Sequence, residues 1–161
     1  MIRSVVRTID AHAMIDPGDH VLAAVSGGPD STALIHILCR LKTTYHITIG
    51  IAHLNHMLRP EEADRDSTFV RSLAGELDLP SHIEAGDINA LAAENRLSIE
   101  TAGRQARYEF LDRVAGQFGY TKIATGHTRD DNAEQVLMNL IRGTGAKGLC
   151  GIPACRDHHI I

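Results

Sequence analysis

The segment Ser26-Gly27-Gly28-Pro29-Asp30-Ser31 places paired glycines, a proline, two hydroxyls and a carboxylate directly after the apolar run Val21–Val25. Glycine lets the backbone turn and lets a ligand approach main-chain N–H groups, while proline carries the φ of a first helical turn. The chain continues as Thr32-Ala33-Leu34, so the segment reads as strand, loop and helix. The free N–H groups and the positive end of the helix dipole then fall at Asp30 and Ser31, which makes an anion site suited to phosphate. The segment has neither the Gly-Lys-Ser/Thr ending of a Walker loop nor the spacing Gly-x-Gly-x-x-Gly. A carboxylate at an anion site repels phosphate unless it caps the helix or a divalent cation bridges the two, so Asp30 is a candidate ligand for Mg²⁺ accompanying a nucleotide. An ordinary strand-to-helix turn with a polar cap accounts for the same residues.

A second polar group follows in Gly126-His127-Thr-Arg-Asp130-Asp131-Asn-Ala-Glu134. Helical spacing turns Asp130, Asp131 and Glu134 toward one region, where a metal or a cationic substrate group can be held. Asp130 and Asp131 equally suit a cap on a helix whose Val136, Leu137, Leu140 and Ile141 face the core. Arg104 and Arg107 share a helix face, either a solvated basic face or a fork of donors for phosphate or carboxylate. His53 and His56 lack further ligands at a recognised zinc spacing. Arg142 to Gly151 is glycine-rich with two cations, a linker or a loop closing over phosphate.

The elements that must position these groups alternate strand and helix. An amphipathic helix carrying Ile2, Val5, Val6, Ile9 and Ala13 ends near Asp16-Pro17-Gly18. Strands are expected at Val21–Val25, Ile47–Ala52, Ser81–Glu84 and Thr121–Thr125. Between them fall helices from Pro29, from Glu61 with Phe69, Val70, Leu73, Ala74 and Leu77 on one face, and from Ile99 with Phe110, Leu111, Val114 and Phe118 buried. Residues 86–98 read as a short helix joined to a loop. The expected fold is α/β, a doubly wound, mainly parallel sheet with helices on both faces, in a single domain. Ligands of such sheets bind beyond the carboxyl ends of the strands. Ile160 and Ile161 read as the start of a further strand, so the chain is expected to stop before its final strand.

The 161 residues, 43% hydrophobic and 22% charged, suit one ordinary globular domain. Three cysteines form no even-numbered framework, which fits a reducing cytoplasmic setting. No apolar run approaches a membrane span, and the first residues lack a secretory core. A net charge of −4 and no tryptophan argue against a general polyanion binder.

Ser26-Gly-Gly-Pro-Asp-Ser31 resembles the Ser-Gly-Gly-x-Asp-Ser signature of the PP-loop ATP pyrophosphatases, which implies an adenine nucleotide alpha hydrolase-like, Rossmann-like fold and cleavage of ATP between its α and β phosphates. The succession of His53-x-Asn55-His56-x-Leu58-Arg59, Glu100 to Tyr108, Gly126-His127-x-x-Asp130-Asp131-x-Ala-Glu134 and Leu140-x-Arg142-Gly143-x-Gly145 is similar to the tRNA(Ile)-lysidine synthetases. Gly103 departs from the alanine usual there, a change expected to loosen the arginine helix.

That resemblance implies a cytoplasmic ligase that adenylates C2 of the wobble cytidine of tRNA(Ile) with a CAU anticodon and then joins it to free L-lysine. It assigns Ser26, Gly27, Gly28, Pro29, Asp30 and Ser31 to the pyrophosphate, Asp30 to Mg²⁺, Arg107 (with Arg104) to phosphate or substrate, His127 to adenylation, and Asp131 and Glu134 to lysine. It also implies that residues 1–161 are an N-terminal PP-loop ATPase domain whose grip on tRNA needs further domains. A PP-loop tRNA sulfur transferase of the 2-thiocytidine synthetase kind, which would need cysteine pairs, and a non-catalytic nucleotide-binding domain are the rival expectations.

Overall fold

The computed structural model describes residues 2–58, 60–145, 149–157 and 159–161; Arg59 and Lys147 of the sequence motifs lie outside them. The elements in order are α1 (Ile2–Ala11), β1 (His20–Ala24), α2 (Pro29–Tyr45), β2 (Thr48–Asn55), α3 (Pro60–Glu76), β3 (Ser81–Ala85), α4 (Ile88–Asn95), α5 (Ile99–Phe118), β4 (Lys122–Ala124) and α6 (Arg129–Ile141). The strands form one parallel sheet in the order β3-β2-β1-β4, which bears out the doubly wound expectation.

Side-chain alternation along β1 divides the core. Val21, Ala23 and Val25 face Ile35, Leu38 and Leu41 of α2 and Val70, Leu73 and Ala74 of α3, with Ile9 of α1 at the margin. Leu22 faces the other way, with Ala52, Ile123 and Ile160, onto Phe110, Leu111, Val114 and Ala115 of α5. A smaller cluster of Ile88, Ala92 and Ala102 joins α4 to α5. The central strands are thus covered on both faces, which is why their sequence is continuously apolar. Ile160 makes a parallel bridge to Ile123 beyond β4, where the sequence reads as a further strand.

Four boundary or burial expectations need correction. Helix α1 ends at Ala11 rather than near Asp16. Strand β2 runs on to Asn55, carrying His53 and Asn55 into the sheet. Phe69 and Phe118 lie on the exposed side of their helices, Phe118 stacking its ring 4.1 Å from that of His82 instead of entering the core. Helix α6 buries none of its residues, and Leu137, Leu140 and Ile141 are 60%, 59% and 81% exposed. Both sheet faces are already occupied by α1, α2, α3 and α5, so α6 leaves β4 with no sheet surface to cover.

Candidate functional site

The chain winds from β1 outward through β2 to β3 and then crosses to β4 on the other side of β1. That makes the gap between the carboxyl ends of β1 and β4 a topological switch point, where loops on either side diverge and leave a crevice. The two loops that border it are Ser26–Ser31 and Gly126–Thr128. They touch directly, because a methyl on Gly126 would lie 3.3 Å from the backbone N and Cα of Ser31.

The first loop is held by its own hydroxyls. Ser31 Oγ accepts from the Ser26 N–H at 3.1 Å and donates to the Gly28 carbonyl at 3.1 Å. Ser26 Oγ accepts from the Gly28 N–H at 3.3 Å, and Thr32 Oγ1 donates to the same Gly28 carbonyl at 2.8 Å. Gly27 takes a φ of +95°, which a residue with a Cβ rarely adopts. Gly28 is the N-cap of α2, Pro29 occupies its first turn, and no side chain caps it. Asp30 is therefore not serving as the cap, and its exposed carboxylate stands at a helix start whose N–H groups face outward.

A cleft of about 710 Å³ opens at this point, lined by Ser26, Gly28, Pro29, Asp30 and Ser31, by His53 to Leu58, and by Arg107, Gly126, His127 and Asp131. Gly27 does not line it and contributes its backbone conformation. Asp66, which sequence reasoning passed over, does line it, its carboxyl group 3.0 Å from where a Gly27 methyl would stand. His56 is kept below the ordinary imidazole value by burial, and further by Arg107 and His53. Gly103 has a specific use in this wall. A methyl there would come 3.3 Å from the His56 ring, so the glycine makes room for the imidazole rather than loosening α5.

The second loop ends in a capping box. Thr128 Oγ1 accepts from the Asp131 N–H at 3.2 Å, and Asp131 Oδ2 accepts from the Thr128 N–H at 2.6 Å. These bonds, backbone first and then the Thr128 hydroxyl, hold the Asp131 carboxyl below the usual carboxylate range. Capping and a role in the cleft coexist, because Asp131 borders the open space as well. Asp130 lines neither cavity, so the expected convergence of three carboxylates reduces to two.

Those two meet in an adjoining cleft of about 750 Å³, where Glu134 and Asp131 face Arg104, Arg142 and Arg156. Glu134 is absent from the wall of the first cleft, and Arg107 from that of the second. The two cavities share Tyr108, Thr125, His127 and Asp131, so these residues form the neck between them. His127 remains accessible to solvent, yet desolvation of its ring pushes its pKa down; Asp131 opposes this, and Arg104, Arg107 and Arg156 reinforce it. Arg156, another residue missed in sequence, places its guanidinium 4.1 Å from the centroid of the Tyr108 ring, with Arg104 at 5.5 Å from the same ring. A lone arginine in an irregular tail gives no sequence signal.

Among the described residues no group of three or more His, Cys, Asp or Glu side chains could hold a metal ion by itself. A single exposed carboxylate beside free helix N–H groups suits Mg²⁺ that takes its remaining ligands from phosphate oxygens and water, the usual habit of that ion. None of the cysteines is in a disulfide, and no described helix is long and apolar enough to cross a membrane.

A parallel doubly wound sheet with a glycine-turned anion loop at its switch point defines a nucleotide-binding α/β domain. The chain belongs to the PP-loop domain family, whose sequence profile matches residues 2–161. It is 42% identical over 161 residues to a tRNA(Ile)-lysidine synthase of Clostridium acetobutylicum, covering 100% of this chain and 35% of the relative. It is 45% identical over 139 residues to another of Chlorobaculum tepidum, covering 86% of this chain and 42% of the relative. The chain thus spans less than half the length of these curated relatives. A U34-tRNA thiolase of Methanococcus maripaludis, solved with its iron–sulfur cluster, shares the fold at a TM-score of 0.75 and 20% identity, over 99% of this chain and 57% of that one.

Proposed function

We propose that this domain carries the chemical steps of a tRNA(Ile)-lysidine synthetase, activating the wobble cytidine of a CAU anticodon with ATP and joining it to free lysine in the cytoplasm. The observation that carries the reading is the neck: a phosphate-type cleft and a mixed acidic–basic cleft open on the same His127 and Asp131. A two-step ligation suits that arrangement, because ATP must reach the oxygen and the amine the carbon of one C2–O bond.

ATP binds in the first cleft, its phosphates on the loop from Ser26 to Ser31 and on Arg107. Asp30 would hold Mg²⁺, which would supply neutralisation of phosphate charge. The C2 oxygen of the cytidine attacks the α-phosphorus and pyrophosphate leaves; the amine of lysine then attacks C2 and AMP leaves. His127, whose pKa is lowered chiefly by desolvation, is able to take up a proton at the neck during these steps. In the second cleft Asp131 and Glu134 receive the cationic groups of lysine, and the attacking amine enters as the free base.

Glu134→Gln tests the division of labour between the clefts. It should raise the KM for lysine at least tenfold while changing the KM for ATP less than twofold, since losing a charged hydrogen-bond partner costs roughly 1.5–3 kcal/mol. Mass spectrometry of the anticodon after incubation of the full-length protein with tRNA(Ile), ATP and lysine reads the product. Equal loss on both axes removes Glu134 from the lysine site, and a sulfur-containing product in place of lysidine refutes the proposal.

A further inference from the structure

His53, Asn55 and Ser67 are buried, at 4%, 7% and 9% exposure, and the first two lie in the wall of the first cleft. Buried polar groups must be partnered, and the partners here are specific. His53 Nδ1 lies 2.8 Å from the carbonyl of Val25, the residue before Ser26. A carbonyl only accepts, so this nitrogen carries the proton and donates. With Nδ1 protonated, His53 Nε2 is an acceptor 3.2 Å from Ser67 Oγ on α3, and the single Ser67 hydroxyl proton goes either to it or to the Ala63 carbonyl at 2.9 Å. Asn55 Nδ2 donates to Ser67 Oγ at 3.2 Å, and Asn55 Oδ1 accepts from the Met57 N–H at 2.8 Å. Met57 has a φ of +52°, a left-handed turn that this bond helps hold.

What these bonds connect is more telling than their number. Val25 leads into the phosphate loop; Met57 begins the opposite rim; Ala63 and Asp66 belong to α3, and Asp66 abuts Gly27. Ser67 Oγ lies at the centre, against His53, Asn55 and Ala63, with Val25 and Met57 one hydrogen bond further out. Apolar side chains would fill this space without any desolvation cost, yet beyond the sheet ladder, which reaches Val25 through its N–H to the Ala52 carbonyl at 2.9 Å, they would leave the two rims joined only by non-directional contacts.

We infer that His53, Asn55 and Ser67 are positioning residues for the nucleotide: a buried strut that fixes the phosphate loop against the 56–58 rim and so sets the width of the first cleft. The inference rests on the reading of that cleft as the ATP site. Ser67 does not line the cleft and acts only through its partners, whereas His53 and Asn55 stand in its wall and also hold Val25 and Met57.

Calorimetric titration of the full chain with ATP in Mg²⁺, well below the thermal midpoint, tests it on wild type, Ser67→Ala, His53→Asn and the double variant. Asparagine keeps a donor near the Nδ1 position and cannot reach Ser67. Each single variant should bind ATP roughly tenfold more weakly, and the double variant clearly less weakly than the product of the two losses, since the His53–Ser67 link is common to both. Folded variants with a lowered thermal midpoint but an unchanged Kd, or with additive losses, would overturn the inference by making the network merely structural. Ser67→Ala, which removes one oxygen, decides the matter alone where His53→Asn does not fold. Wild type that fails to bind ATP would instead sink the nucleotide reading.

Discussion

Gly126 is the point where the two site loops meet, and Gly126→Ala measures how closely they must fit. The new methyl would stand 3.3 Å from the Ser31 backbone N and Cα and 3.4 Å from the Asp30 carbonyl carbon. Carbon contacts settle at about 3.5–4.0 Å, so the phosphate loop and the His127 loop must part by a few tenths of an ångström. The neighbours are backbone atoms at the start of α2 and cannot swing aside as a side chain would. Misplacement by about 1 Å costs roughly a hundredfold in rate, so a shift of about 0.3–0.5 Å scales to a four- to tenfold drop in kcat. Stability should hardly change, because slight overpacking of about 1 kcal/mol is offset by the smaller unfolded-state entropy of alanine, about 0.4–1 kcal/mol. Gly116→Ala on α5, where no atom lies within 4 Å of the added methyl, is the matched control; it should raise stability by about 0.4–1 kcal/mol and leave turnover alone. ATP–pyrophosphate exchange and denaturant midpoints on both variants give the two readings. Wild-type exchange by Gly126→Ala, or a loss of rate matched by more than about 2 kcal/mol of lost stability, would refute the claim that the loops are registered through this glycine.

Gly50→Ala in β2 puts a methyl onto the Tyr120 hydroxyl, 2.6 Å from its Cζ, and displaces the ring from its 3.0 Å hydrogen bond with His82. Overpacking and the lost bond together should cost about 2–4 kcal/mol, read from the urea midpoint; a loss under about 0.5 kcal/mol would contradict the contact. His159 bridges the Asp157 carbonyl at 2.9 Å and Asp112 at 3.2 Å, and its pKa is raised, first by the Asp157 bond and then by Asp112. Its contribution is therefore complete below the ordinary value of 6.5 and fades as pH climbs through the raised folded value. The stability gap between wild type and His159→Gln should shrink from pH 5.5 to pH 8.5 and stay under about 1 kcal/mol throughout, because both partners are exposed and screened; a gap that widens with pH reverses the sign and refutes the linkage.

The sheet and the phosphate loop were legible because their signals are local. Branched residues at Val21–Val25 and Ile47–Ala52, glycines at Gly27 and Gly28, and proline at Pro29 each dictate conformation within a few residues. What failed depended on distant surfaces. The apolar residues of α6 read as a core face, but periodicity states only that a face exists, not that a sheet is left to receive it. Arg156 became visible only through its stack on Tyr108, some four dozen residues earlier in the chain, and Asp66 only through its approach to Gly27. Gly103 read as a weakness in its helix for the same reason, since the His56 ring that fills its missing methyl comes from another loop. His53 was weighed as a metal ligand; its burial at the end of β2 could not be read because the strand continues past its last branched residue.

Electrostatics explains why the neck falls at His127. The chain carries a net charge of −4, yet Arg104, Arg107 and Arg156 converge around this one imidazole from α5 and from the tail, and each disfavours its protonation. Concentrating cations at one point of an acidic protein focuses the field there and draws in an anion while the remaining surface repels it. Asp131 is the counterweight: the Thr128 bonds favour its ionised form and fix it in place, so a fixed negative charge borders the same space. The first cleft thus presents Arg107 beside its anion loop, and the second sets Asp131 and Glu134 against Arg104, Arg142 and Arg156. A proton on His127 would add a further positive charge beside Arg104, Arg107 and Arg156 and offset the charge of Asp131. Desolvation first, and then Arg104, Arg107 and Arg156, favour the unprotonated imidazole against the opposing pull of Asp131, so the same cluster that focuses positive potential also sets the state of the ring at its centre.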